Sequence, residues 1–69
     1  MINLALIGIG KWGRNYLSTI KAFPNCRIKY LCSSTAANLQ EYKEDYVVTT
    51  DFKELFKYQD INGVIITTS

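Results

Sequence analysis

The run Ile2 to Ile7, in which only Asn3 is polar, passes directly into Gly8-Ile9-Gly10-Lys11-Trp12-Gly13, and no other feature restricts the possible fold as much. A short apolar run of this kind has the length and continuity of a strand buried on both faces of a parallel sheet. The three glycines that follow have separable tasks. Gly8 permits a tight turn out of the strand, Gly10 lets backbone come close to a ligand, and Gly13 lets the next helix lie against the strand. A helix starting here points free N–H groups at whatever occupies the turn, and the pyrophosphate of a dinucleotide suits that geometry. The alternative is a turn that binds nothing, so the surrounding pattern has to decide.

That pattern continues as a strand-helix alternation. Trp12, Tyr16, Leu17, Ile20 and Phe23 recur at three- to four-residue spacing, which puts them on one apolar stripe of a helix that ends before Pro24-Asn25. Arg27 to Cys32 resumes an extended pattern, and Ser33 falls where the second strand of such a unit presents its ribose-reading side chain. Thr35 to Tyr46 is rich in helix formers and predicts a second helix, with Leu39, Tyr42 and Tyr46 on one face. Tyr46 to Thr49 reads as a third strand. Asp51 and Glu54 form a capping-box pattern opening a third helix through about Tyr58. After the turn Asp60 to Gly63, the run Val64 to Thr68 reads as a buried fourth strand. The expected class is α/β, a partial Rossmann-type parallel sheet with helices on both faces and strand order 3-2-1-4. With strand, glycine loop, helix and strand in the required order, dinucleotide binding is the preferred reading of the loop.

The chain has 69 residues, short for a complete nucleotide-binding domain, and it reads as one domain without repeats or linkers. Its formal charge is +2 and its eight Lys and Arg are scattered, so neither nucleic acid nor a membrane surface is an expected partner. No apolar run approaches the roughly 20 residues of a membrane span, and Met1 leads straight into the first strand without a signal peptide, so a cytoplasmic setting is expected. Cys26 and Cys32 belong to no metal or redox motif; both are expected as reduced thiols, Cys32 as a small core residue. Histidine is absent, which removes the commonest general base and most zinc chemistry. No catalytic constellation and no metal site are expected within these residues.

Taken together, Gly-Ile-Gly-Lys-Trp-Gly-Arg-Asn (Gly8 to Asn15), Tyr-Leu-Cys-Ser-Ser-Thr (Tyr30 to Thr35), Thr-Thr-Asp-Phe-Lys-Glu-Leu-Phe (Thr49 to Phe56) and Asn-Gly-Val-Ile-Ile-Thr-Thr (Asn62 to Thr68) give the chain a resemblance to a known family. It resembles the N-terminus of the glucose-fructose oxidoreductase and inositol dehydrogenase (Gfo/Idh/MocA) family. The resemblance implies that residues 1–69 are the N-terminal part of a Rossmann domain for NAD or NADP. It also implies a separate substrate domain, and a Glu-Lys-Pro segment with the catalytic lysine, both outside this sequence. The whole protein would then move a hydride to or from a sugar, cyclitol or nucleotide-sugar, with this part binding cofactor and catalysing nothing. By position, Gly8, Ile9, Gly10, Lys11, Trp12 and Gly13 would form the pyrophosphate loop, Ser33 and Ser34 would meet the adenine ribose, and Thr67, Thr68 and Ser69 would line the cofactor at the end of the fourth strand. A non-catalytic nucleotide-sensing regulatory module is the alternative function, since it could share the glycine loop.

Several positions carry two readings. An Asp or Glu at position 33 would accept hydrogen bonds from the ribose hydroxyls and repel a 2′-phosphate; Ser33, Ser34 and Thr35 offer hydroxyls instead, which favours NADP modestly over NAD. No Arg follows to fix that phosphate, and the same Ser-Ser-Thr run could simply cap the next helix. Lys11 and Arg14 lie within reach of phosphate oxygens but are ordinary solvated charges otherwise. Trp12 fits core or interface packing better than a cofactor stack. The fourth strand should form an apolar sheet edge of Val64, Ile65, Ile66 and Thr67, and self-association through it is expected.

Overall fold

In the computed structural model, which describes residues 1–67, the elements are β1 (Ile2–Ile7), α1 (Lys11–Ile20), β2 (Cys26–Cys32), β3 (Val47–Thr49) and β4 (Gly63–Ile66). Two short 3-10 helices, Ala36–Tyr42 and Phe52–Lys57, connect β2 to β3 and β3 to β4. All strand pairings are parallel, and the sheet order is β3-β2-β1-β4, as the sequence predicts.

Each face of the sheet has its own apolar cluster. On one face, Leu17 of α1 and Leu39 of the first 3-10 helix cover Leu6, Ile28 and Leu31, with Leu4, Ile20 and Ile65 alongside. On the other, Leu55 of the second 3-10 helix covers Ala5, Tyr30 and Cys32, with Ile7 and Ile61 at the margin. The connections on both sides of β2 therefore lie on one face, and the connection from β3 to β4 passes beneath the other, which is how a doubly wound sheet reverses its strand order. The register of β1 against β2 slips between Leu4 and Ala5, so that Leu4 faces Ile28 while Ala5 faces Tyr30. Lys29 is the extra residue. That bulge lets Ile28 share a face with Leu31, although strict alternation would set them on opposite faces.

Three predicted elements differ in detail. Over 35–46 the sequence favours an α-helix, but Ala36, Leu39 and Tyr42 repeat every third residue, the period of a 3-10 helix, and only Leu39 of the segment is buried. Leu39, Tyr42 and Tyr46 do meet one core cluster, as their shared face predicts, but Tyr42 and Tyr46 are only partly buried. The same three-residue spacing holds for the predicted helix from Asp51: Phe52 and Leu55 are three apart, and the segment is 3-10. Asp51 caps the segment without closing a capping box, since its Oδ1 accepts from the Lys53 N–H at 3.0 Å and the Glu54 carboxylate turns to Lys57. In α1 the buried line is Gly13 and Leu17, with Ile20 half-buried, whereas Trp12 is 67% exposed and Tyr16 and Phe23 are also exposed. The reading of Trp12, Tyr16 and Phe23 as the packed stripe is thus corrected. A helix that approaches the sheet through Gly13 must turn its neighbour Trp12 roughly 100° away.

At the N-terminal end of the sheet, polar side chains close the loop before β4. Lys29 Nζ and the Tyr30 hydroxyl both donate to the Asp60 carboxylate at 2.5 Å. Asn3 N–H donates to Asn62 Oδ1, and Asn62 N–H donates to the Asn3 carbonyl, both at 2.8 Å. Among the described residues no helix is long and apolar enough to cross a membrane.

Candidate functional site

Cys32, Ile7 and Ile66 pair side by side across β2, β1 and β4. The residues that follow them, Ser33, Gly8 and Thr67, therefore leave the sheet together at its C-terminal end, between the central strand and its two neighbours. Open α/β sheets bind ligands at this end, where the strand order reverses.

The glycine loop starts from that row. Gly8 donates its N–H to the Cys32 carbonyl at 2.8 Å and turns with φ 105°, a conformation that disfavours any side chain. Gly10 is the N-cap of α1, in extended conformation, and no side chain caps the helix. The first turn holds no acidic residue, so the N–H groups at the start of α1 face outward with their partial positive charge unopposed by a carboxylate. A Cβ built on Gly10 meets nothing within 4 Å, so open space lies beside the backbone where α1 begins. At Gly13 the opposite holds: a Cβ would stand 2.3 Å from the Gly8 carbonyl oxygen and 3.3 Å from Thr67 Oγ1. The three glycines thus divide into a turn, a cradle and a close helix contact, and the cradle fits an anionic pyrophosphate.

The other predicted site residues are distributed unevenly around this cradle. Ile9 is buried in the α1-side core and braces the loop from beneath. Lys11 and Trp12 are exposed at the start of α1. Ser33 is buried, donates its N–H to the Thr49 carbonyl, and accepts the Thr35 N–H on its Oγ at 3.2 Å, so its hydroxyl helps shape the turn after β2. Ser34 is exposed beside it. Thr67 donates its hydroxyl to the Gly8 carbonyl at 2.9 Å, a bond that the sequence reading, which took Thr67 for a cofactor contact, did not anticipate. Its only signal was a hydroxyl at the end of a β-branched run. Thr68 and Ser69 lie outside the described residues. Cys32 is buried, and that burial first, with the nearby Asp51 carboxylate second, pushes its thiol above the usual range, as befits a core residue.

A doubly wound sheet with a glycine cradle at its C-terminal end defines a Rossmann-type nucleotide-binding unit. The sequence profile of the Gfo/Idh/MocA oxidoreductase family, described as an NAD-binding Rossmann fold, matches residues 2–69, and the chain belongs to that family. No curated protein matches it at a significant level. Among solved structures, a myo-inositol dehydrogenase from Corynebacterium glutamicum superposes with a TM-score of 0.88 at 22% identity, over 100% of this chain and 21% of its own. The scyllo-inositol dehydrogenase of Lactobacillus casei with bound NAD(H) and scyllo-inositol gives 0.84 at 22% identity, over 100% and 22%. A protein of Magnetospirillum magnetotacticum MS-1 proposed to be an oxidoreductase gives 0.72 at 35% identity, over 94% and 21%. The chain therefore spans about a fifth of the length of these structures.

Proposed function

We propose that this chain is the cofactor-binding part of an NAD(P)-dependent oxidoreductase, holding the pyrophosphate in the loop Gly8 to Gly13. The observation that carries this reading is the Gly10 cradle: an uncapped helix start, free of acidic residues, with open space where a Cβ would be. In this reading Gly8, Ile9, Gly10, Lys11, Trp12 and Gly13 form or flank the loop, and the family resemblance assigns Ser33 and Ser34 to the adenine ribose and Thr67, Thr68 and Ser69 to the cofactor. Residues 1–69 are then one piece of a Rossmann domain, and the substrate that exchanges a hydride with the cofactor is bound elsewhere in the whole protein. A sugar or cyclitol substrate is supported by the inositol dehydrogenases among the structures of like fold. The two free cysteines support a reducing, cytoplasmic setting.

Between the two nicotinamide cofactors, the chain's own residues favour NADP. Positions 33 to 35 carry three hydroxyls and no carboxylate, so nothing there repels a 2′-phosphate. Ser33 already receives the Thr35 N–H and can still donate its own proton, while Ser34 is exposed. Calorimetric titration of the chain with NADP and, separately, NAD tests both parts. Tighter NADP binding is expected. A preference for NAD would overturn the Ser33 argument alone, and no binding of either by the folded chain would overturn the cofactor reading.

A further inference from the structure

The Gly8 carbonyl is enclosed from two sides. Thr67 reaches it from β4: its N–H donates to the Ile7 carbonyl at 2.8 Å, as the next rung of the β1–β4 ladder, and its hydroxyl then donates to Gly8 at 2.9 Å. The same hydroxyl lies 3.4 Å from the Ile7 carbonyl oxygen. On the other side stands α1, whose Gly13 leaves no room for a Cβ beside that oxygen. The peptide joining Gly8 to Ile9 is planar, so fixing the carbonyl also fixes the Ile9 N–H, which points the opposite way. Gly8 itself has φ 105°, in a region where glycine is conformationally permissive and nothing local selects one orientation.

We infer that Thr67 is a positioning residue for the cofactor loop: its hydroxyl, acting through the Gly8 carbonyl, sets the direction in which the loop presents its N–H groups. The inference rests on the cofactor reading above and changes the role of Thr67 within it. Instead of touching the cofactor, Thr67 couples the end of β4 to the pyrophosphate loop, and Ser at this position would do the same. Val would keep the branched shape and remove the donor, leaving the Gly8 oxygen without its partner.

The test uses the chain with Thr67→Val, Thr67→Ala and Thr67→Ser, the Ala variant guarding against misfolding of the Val variant. NAD and ADP-ribose, which share the pyrophosphate, are titrated calorimetrically, and the Ile9 amide signal is followed by 1H–15N NMR without ligand. Val and Ala should weaken both ligands by roughly fivefold, as expected for one hydrogen bond, and shift the Ile9 signal; Ser should restore both. Unchanged affinity, or an unmoved Ile9 signal in a folded variant, would overturn the inference. So would a loss for NAD without one for ADP-ribose, which would place Thr67 in contact with the nicotinamide half. If the parent chain binds neither ligand, the cofactor reading fails, and the Ile9 signal still decides whether Thr67 orients the loop.

Discussion

Gly10→Ala and Gly13→Ala add the same methyl group three residues apart and should fail in opposite ways. At Gly13 the new Cβ would stand 2.3 Å from the Gly8 carbonyl oxygen and 3.2 Å from its carbon. Both are backbone atoms at a strand end, and the oxygen is held by Thr67, so the helix has to lift; no side chain can rotate away. Overpacking costs about 1–3 kcal/mol, and contact with fixed backbone belongs at the upper end. Ala regains about 1 kcal/mol as the better helix former, which leaves a net loss of about 2 kcal/mol. For a domain of this size that lowers Tm by about 8–16 °C. At Gly10 the methyl enters open space, with φ −120° in a region open to Ala. Losing a good N-cap residue costs about 1 kcal/mol or less, and a stiffer unfolded chain offsets about 0.4–1 kcal/mol, so stability should stay nearly constant. NAD affinity should nevertheless fall on the order of tenfold, because the methyl takes space beside the backbone that the proposed reading gives to the pyrophosphate. Thermal unfolding by circular dichroism and calorimetric titration read the two effects separately. A Gly13→Ala protein as stable as its parent, or a Gly10→Ala protein that binds as tightly, would refute the division of tasks among the glycines.

Hydrogen bonds first from Lys29 and then from Tyr30 hold the Asp60 carboxyl below its ordinary value of 3.8. Because the folded value is the depressed one, this support is fully present above pH 3.8 and disappears as pH falls through the folded value; Asp60→Asn should flatten that part of a stability-versus-pH curve, and an unchanged curve would remove the latch from the account. Cys26 is half-buried and Cys32 buried with its thiol pushed up, so iodoacetamide should modify Cys26 in the folded chain and reach Cys32 only on unfolding, as peptide mapping would show. Val64 and Ile66 are exposed on β4, whose outer side has no neighbour among the described strands. We propose that this edge self-associates, so analytical ultracentrifugation should show concentration-dependent assembly that Ile66→Lys weakens; a parent chain that stays monomeric at high concentration would end that proposal.

Fold order was legible because β1 and β4 are short apolar runs, Arg27 to Cys32 resumes an extended pattern, and the glycines between β1 and α1 fit a right-handed crossover. The connections were harder to read, since 3-10 and α-helices are built from the same residue types and differ in whether apolar positions recur at 3.0 or 3.6. Trp12 was misplaced because hydrophobicity alone orients a helix by its largest residues, whereas α1 is oriented by its smallest, Gly13. In the site, the turn at Gly8 and the close helix contact at Gly13 follow from the absence of a side chain and could be read directly. What Thr67 and Ser33 do with their hydroxyls could not, because a hydroxyl serves ligand and backbone equally well and only the fold supplies the nearer partner. The clasp of Lys29 and Tyr30 on Asp60 was invisible for a related reason: it depends on a bulge at Lys29 that no local residue preference marks.

The all-parallel sheet has a consequence for how the molecule forms. No strand can pair with the next through a tight hairpin, so each rung of the sheet closes a loop, and the bond from Thr67 to Gly8 closes one of 59 residues. Closing a loop that long costs entropy before any contact compensates, which makes folding slow relative to a chain with local pairings. Until β4 docks beside β1, Gly8 lacks the hydroxyl that fixes its carbonyl, and the loop and helix start exist without a set direction. Competence to hold a ligand should therefore be the last property gained in refolding, arriving with β4 and later than the burial of Leu6 and Leu31 between β1, β2 and α1.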